Sequence, residues 1–153
     1  MKCCIQRVDK ASVEIDNKIY ATIEKGLLVL VGFFKEDKED FIESLAHKVC
    51  NLRIFENENE KMDYSVKDIK GELLIVSQFT LAGDVKKGLR PDFTNSMHPD
   101  IAKTFYEKFI LSCKNIMGEK NVKTGIFGAK MKLNLTNNGP VTIILEKTSE
   151  EKR

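Results

Sequence analysis

Ser77-Gln78-Phe79-Thr80 stand where an apolar run, ELLIVSQF (residues 72–79), gives way to LAGDVKKGLRPDF. A buried strand that ends in hydroxyls and a carboxamide releases polar groups and unpaired backbone N–H donors into a loop, and ligand sites are commonly built there. Such donors can stabilise the oxyanion of an acyl-transfer reaction. A polar strand end satisfied by its own local hydrogen bonds accounts for the same residues. The second feature is LNLTNNGPVTIIL, residues 133–145. Leu133 and Leu135 alternate with Asn134 and Thr136, and Val141, Ile143 and Leu145 alternate with Thr142 and Ile144, which is strand periodicity on both sides. Asn138-Gly139 between them suits a tight turn, whereas Pro140 strips a backbone donor from the second strand. The expectation is a closing hairpin with an oddly placed Gly-Pro pair.

Other chemistry is excluded by inventory. The chain has no G-x-S-x-G elbow, no H-E-x-x-H, no P-loop and no G-x-G-x-x-G after a strand. Of its two histidines, His47 falls on the polar face of a helix and His98 precedes Pro99 at a helix entry. Thr80 therefore has no visible base to make it a nucleophile. Cys3, Cys4, Cys50 and Cys113 form no C-x-x-C pair, so a metal site is not expected, and reduced, mostly buried thiols fit best. Only Arg7, Arg53, Arg90 and Arg153 are arginines among 25 basic residues. In a Lys-rich chain, a planar guanidinium marks places where a bidentate grip matters.

The bulk numbers describe an ordinary globular chain: 153 residues, 42% hydrophobic and 31% charged. A net charge of +2 restricts any nucleic-acid contact to a local, shallow one. MKCCIQRVDK lacks the apolar core of a leader and no run reaches membrane-spanning length, so a cytoplasmic protein without a membrane partner is expected.

The elements that must position these residues follow from periodicity. Ile5 to Ile15 reads as a strand, Asp16-Asn17-Lys18 as a turn, and Ile19 to Ile23 as a second strand. LLVLVGFF after Gly26 is a continuous apolar run, expected as a central strand buried on both faces. Asp40 is placed as the cap of a helix with a stripe of Phe41, Leu45, Val49 and Leu52. Arg53-Ile54-Phe55 is a short strand, Met62 to Val66 is partly extended, and ELLIVSQF is another buried strand. Pro99 fits the first turn of a second helix, striped by Ile101, Phe105, Phe109, Cys113 and Ile116 and ended by Gly118. The order βββ-α-β-β-α-ββ lacks regular β-α-β alternation. It predicts an α+β fold: a barrel-like mixed or antiparallel sheet with two main helices packed outside. One domain is expected over residues 1–147, with a short charged tail over 148–153.

Taken together, Ile5-Gln6-Arg7-Val8, Ala11-Ser12-Val13, Gly26-Leu27-Leu28-Val29-Leu30, Arg53-Ile54-Phe55, Lys61-Met62, Ser77-Gln78-Phe79-Thr80-Leu81, Arg90-Pro91 and Asn138-Gly139-Pro140-Val141-Thr142 closely resemble the D-aminoacyl-tRNA deacylases. The likeness runs from residue 1 to about 146 in the family's order and spacing. It implies a homodimeric, cofactor-free proofreading enzyme that hydrolyses the ester between a D-amino acid, or mischarged glycine, and the 3′-terminal adenosine of tRNA. In the family the Gly-Pro pair is cis and enters the partner subunit's active site. That implies that Gly139 and Pro140 reject L-aminoacyl esters with rigid backbone, and that Arg7 holds their loop. Ser77, Gln78, Phe79 and Thr80 would form the opposite wall, acting mainly through backbone groups. Phe127 is placed in the adenosine pocket, and Lys86, Lys87 and Arg90 against tRNA phosphates; a core aromatic and a solvated loop are the competing readings. Two alternatives stand beside this one: editing of another mischarged aminoacyl-tRNA, as in domains of some threonyl-tRNA synthetases, and a non-catalytic nucleic-acid-binding module.

Overall fold

Runs that are apolar at every position, rather than at alternate ones, mark the middle of the sheet. The computed structural model describes residues 1–150. In chain order it has β1 (Lys2–Ile15), β2 (Lys18–Ile23), β3 (Gly26–Gly32), α1 (Asp40–Asn51), β4 (Phe55–Glu56), β5 (Met62–Tyr64), β6 (Glu72–Ser77), α2 (Pro99–Met117), β7 (Val122–Thr124) and β8 (Lys132–Glu146). The main sheet runs β2-β1-β3-β6-β7, with β8 added to β1. The β3–β6 and β6–β7 pairs are parallel, and β1 is antiparallel to β2, β3 and β8. The β1–β2 turn places Asp16 and Asn17 at φ 52° and 63°, a left-handed conformation that Asp and Asn tolerate better than most residues. Because β2 comes back against β6 and β7, the sheet curls into a barrel-like form.

Two cores result, and β3 and β6 serve both. Leu27, Val29, Val31, Leu73 and Ile75 face the helices together with Cys3 and Ile5. Leu28, Leu74 and Val76 face the other way and fill the barrel with Val8, Ala11, Val13 and Ile23. A strand covered on both faces has no polar side to alternate with, which is why these segments read as continuous apolar runs.

The helices differ from expectation in detail. At α1 no side chain caps the first turn, and Asp40 lies inside it. The Phe41 and Ile42 N–H groups already donate to the Lys38 and Glu39 carbonyls, each at 3.1 Å, so a side-chain acceptor is not needed. The buried face of α2 is Ala102, Tyr106, Phe109, Cys113 and Met117, while Ile101 is 53% exposed. Phe109 and Cys113 are buried as expected, but Tyr106 turns inward with its hydroxyl donating to the Ile75 carbonyl at 2.8 Å, and Phe105 and Ile116 are only partly buried. Pro99 opens α2 and Gly118 ends it at φ 90°. The cysteines are free, and burial pushes the Cys3 thiol up to about 12.

The expected closing hairpin is not formed. Residues 132–146 are one strand, antiparallel to β1 along its length. A hairpin would reverse the chain, but both halves of β8 run the same way beside the same partner. Between the pairs Gln6–Thr142 and Lys10–Thr136, four steps on β1 are matched by six on β8. The Asn-Asn-Gly-Pro segment is therefore a bulge. Across it the covered face changes: Ile143 and Leu145 pack against the core under the helices, whereas Leu133 packs against the barrel interior. β7 was not anticipated; it is only three residues long. The Met1 ammonium ion-pairs with Asp37 and donates to the Lys147 carbonyl at 2.8 Å, tying the ends of the β1–β8 ladder. Of the charged tail, residues 151–153 lie outside the described residues. No helix among the described residues is long and apolar enough to cross a membrane.

The Ile75 carbonyl also receives the Gly125 N–H at 3.2 Å. Tyr106→Phe leaves that bond in place, and is expected to lower stability by about 0.5–1.5 kcal/mol in urea unfolding, the usual worth of one hydrogen bond.

Candidate active site

The site begins with a glycine that lets two backbones touch. A Cβ on Gly32 would lie 2.7 Å from the Gln78 carbonyl oxygen and 2.9 Å from Leu81 Cβ. Without it, the end of β6 presses against the end of β3, and the Gln78 N–H donates to the Val31 carbonyl at 2.8 Å. Here the chain turns into a short 3-10 segment, Phe79–Ala82. The N–H groups of Phe79 and Thr80 open that segment and have no acceptor among the described residues. The Thr80 hydroxyl receives the Gln78 carboxamide, a neutral donor that cannot act as a base toward it.

Beside this turn lies a cavity of about 600 Å³. Its walls come from the end of β6, the segment before α2, residues 127–129 and the start of β8. Ser77, Gln78, Phe79 and Phe127 all line it; Thr80, the next residue in the chain after Phe79, does not. Phe79 is 61% exposed and meets Phe93 edge-on, with ring centroids 5.1 Å apart. Phe127 is half-buried and leans on Tyr106 at 5.8 Å, so it is both a core-edge residue and a cavity wall. His98 is the one ionisable side chain on the lining. Its Nδ1 accepts the Asp100 N–H at 3.3 Å, the helix-entry role expected of it. Among the described residues no group of three His, Cys, Asp or Glu side chains could hold a metal ion.

Lys86, Lys87 and Arg90 sit exposed on a loop that leaves the cavity wall after Phe79 and returns to it at Phe93. Asp84 and Asp92 close its base through two reciprocal backbone hydrogen bonds of 2.8 Å. The Asp92 carboxylate takes the Thr94 hydroxyl and N–H, which hold its pKa below the usual range.

Gly139, Pro140 and Arg7 do not line this cavity within the chain. The Gly139–Pro140 bond is cis, and both residues are exposed at the β8 bulge. Arg7 lies beneath, 6% exposed. Its Nε donates to the Asn138 carbonyl at 3.0 Å and its Nη1 to the Ile54 carbonyl at 2.8 Å, while Nη2 is 3.6 Å from Glu56. The Asn138 carboxamide donates to Asp9 at 2.7 Å. Phe93, Met97 and Met131 were missed as site residues. Phe93 lies in the loop after ELLIVSQF, but a lone aromatic in a loop carries no periodicity to single it out.

A family profile described as D-Tyr-tRNA(Tyr) deacylase matches residues 4–146. The chain belongs to the D-aminoacyl-tRNA deacylase family. The D-aminoacyl-tRNA deacylase of Thermosipho africanus is 53% identical over 146 residues, covering 95% of this chain and 97% of that one. That of Flavobacterium psychrophilum is 52% identical over 151 residues, covering 99% and 100%. Among solved structures, a c-Myc DNA unwinding element binding protein shares 40% identity at a TM-score of 0.93, covering 97% of this chain and all of that one. A probable eukaryotic D-amino acid tRNA deacylase, at 20% identity and a TM-score of 0.81, shares the fold.

In this deacylase-family chain Gly139 cannot be exchanged freely. It sits at φ 132°, and a Cβ would lie 2.7 Å from Val141 Cγ2 and 3.0 Å from Arg7 Nη2. Gly139→Ala is expected to cost about 1–3 kcal/mol in thermal or urea unfolding, through backbone strain and displacement of Arg7.

Proposed function

We propose that the chain hydrolyses the ester joining a D-amino acid to the 3′-terminal ribose of tRNA. The observation that carries this reading is the pair of N–H groups at Phe79 and Thr80 without an acceptor among the described residues, at the turn beside a largely apolar cavity. Family membership and the near-full-length relatives named D-aminoacyl-tRNA deacylase support it.

In this mechanism water adds to the ester carbonyl carbon and the carbonyl oxygen becomes an oxyanion. The Phe79 and Thr80 N–H groups stabilise that charge. The C–O bond to the ribose 3′ oxygen then breaks, the 3′ oxygen takes a proton, and the free amino acid leaves as a carboxylate. The neighbouring 2′-hydroxyl of the ribose assists proton movement, since the one ionisable side chain on the lining, His98, has its Nδ1 engaged with the Asp100 N–H. Phe127 stacks on the terminal adenine, and Lys86, Lys87 and Arg90 meet phosphates of the acceptor end.

Discrimination comes from a second copy of the chain. Gly139 and Pro140 of one protomer enter the cavity of the other and turn backbone carbonyls toward the substrate's α-amino group. A D-side chain then points to open space, whereas an L-side chain collides with backbone that Arg7 holds from below. Glycine has no side chain to collide and is accepted. The chain works as a homodimer in the cytoplasm, where it recycles mischarged tRNA.

The deciding measurement is hydrolysis of matched D-Tyr-tRNA and L-Tyr-tRNA by the purified chain, with its mass followed by sedimentation. D-selective hydrolysis by a dimer is expected. Absence of hydrolysis by folded protein, with binding to duplex DNA, would replace this reading with the nucleic-acid-binding one raised by the 40% identical c-Myc DNA unwinding element binding protein. Thr80→Val tests the chemistry further. It is expected to lower the rate by less than about ten-fold, well short of the ~10²–10³ lost with an oxyanion donor.

A further inference from the structure

The β8 bulge is held at both ends, and only its upstream end is explained by Arg7. Asn137 is the last residue paired with β1 before the bulge, opposite Val8, and pairing resumes at Thr142, opposite Gln6. Val141 is thus the last residue of the bulge. Its N–H donates to the Asn137 Oδ1 at 3.1 Å, a contact that spans Asn138, Gly139 and Pro140. Pro140 has no N–H to offer, so Val141 carries the first backbone donor after the pair.

The orientation of the Asn137 carboxamide follows from its partners. Val141 N–H can only donate, so the carbonyl oxygen must face it, and the NH₂ then points the other way. There it reaches the Thr142 hydroxyl at 3.4 Å, which Gln6 Nε2 also reaches at 3.4 Å. Val141 is 8% exposed, so its N–H has little water to fall back on if the acceptor is removed. Gly139, between the two anchors, is the residue best able to absorb a change of direction.

We infer that Asn137 is a positioning residue whose carboxamide oxygen, by accepting the Val141 N–H, fixes the exit of the bulge and so aims Gly139 and Pro140. This rests on the proposed role of those two residues in rejecting L-esters. Arg7 holds the Asn138 carbonyl at the entry and Asn137 holds the Val141 N–H at the exit. Loss of either lets the segment turn, but loss of Asn137 leaves Arg7 and the buried core in place. Aspartate keeps an oxygen where the bond needs one, while it loses the donation to Thr142 and gains a negative charge. Alanine removes both the oxygen and the donation.

The test compares the full-length chain with Asn137→Ala and Asn137→Asp. Single-turnover hydrolysis of D-Tyr-tRNA and L-Tyr-tRNA gives the D:L rate ratio, and amide exchange at Val141 is followed by NMR. Asn137→Ala is expected to lower the ratio by about ten-fold, the scale of one hydrogen bond, and to speed exchange at Val141. Asn137→Asp is expected to keep the ratio within about three-fold and to keep the amide protected. A D-selective parent whose alanine variant keeps its ratio would overturn the inference. So would an aspartate variant that loses as much selectivity as alanine. If the alanine variant does not fold, the aspartate ratio alone decides. A parent without D:L discrimination would instead overturn the proposed function, and Val141 exchange would still judge the bracket.

Discussion

β1 pairs with three strands along its fourteen residues, and the rest of the fold is arranged around that demand. Its first half lies between β3 and β8, its second half between β2 and β8. Both edges of the strand are used over most of its length, so the sheet has to curl. The curl gives β1 two kinds of neighbour as well. Cys3 and Ile5 belong to the core under the helices, and Val8, Ala11 and Val13 to the barrel interior. The change of face falls at Arg7–Lys10, beside the β8 bulge, where the register shifts.

Arg7 sits at that crossing and explains how an irregular strand can be held without flexibility. It is a buried cation whose two nitrogen donors reach carbonyls from different parts of the chain, Asn138 on β8 and Ile54 after α1. Glu56, half-exposed at 3.6 Å, supplies the opposite charge. A guanidinium suits this because its donors diverge in a fixed plane; a lysine ammonium offers no such fork. The bulge is thus braced from the helical side of the molecule.

The cavity has another logic. Its lining is apolar except at the strand end, Ser96 and His98, and the donors proposed for the chemistry are backbone groups. Preorganised N–H groups cost no reorganisation when charge develops, and they do not titrate. A site made this way leaves few side-chain signatures. It also separates the two halves of the proposed machinery within one chain, since Gly139 and Pro140 lie on β8 away from the cavity wall. A second copy brings them together in the proposed dimer.

Much of the layout was legible in the sequence because the physics is local. The turn at Asp16-Asn17, the doubly buried β3 and β6, Pro99 at the start of α2 and Gly118 at its end follow from residue type and spacing. Ser77 to Thr80 could be marked because a polar cluster ends an apolar run, and the motifs of both segments carry the family. What the sequence alone could not decide depends on partners distant in the chain. Period two on each side of Asn-Asn-Gly-Pro fits a hairpin and a bulged strand equally well. Only the presence of β1 along both halves makes it a bulge. Tyr106 lies on the buried face of α2 with its hydroxyl on a carbonyl of β6, while its neighbour Phe105 is only partly buried. Phe93 lines the cavity where its ring meets Phe79, a contact between residues fourteen apart in the chain. Local periodicity reports which faces are apolar; which surface covers each face is settled by contacts that form only when the whole chain has closed.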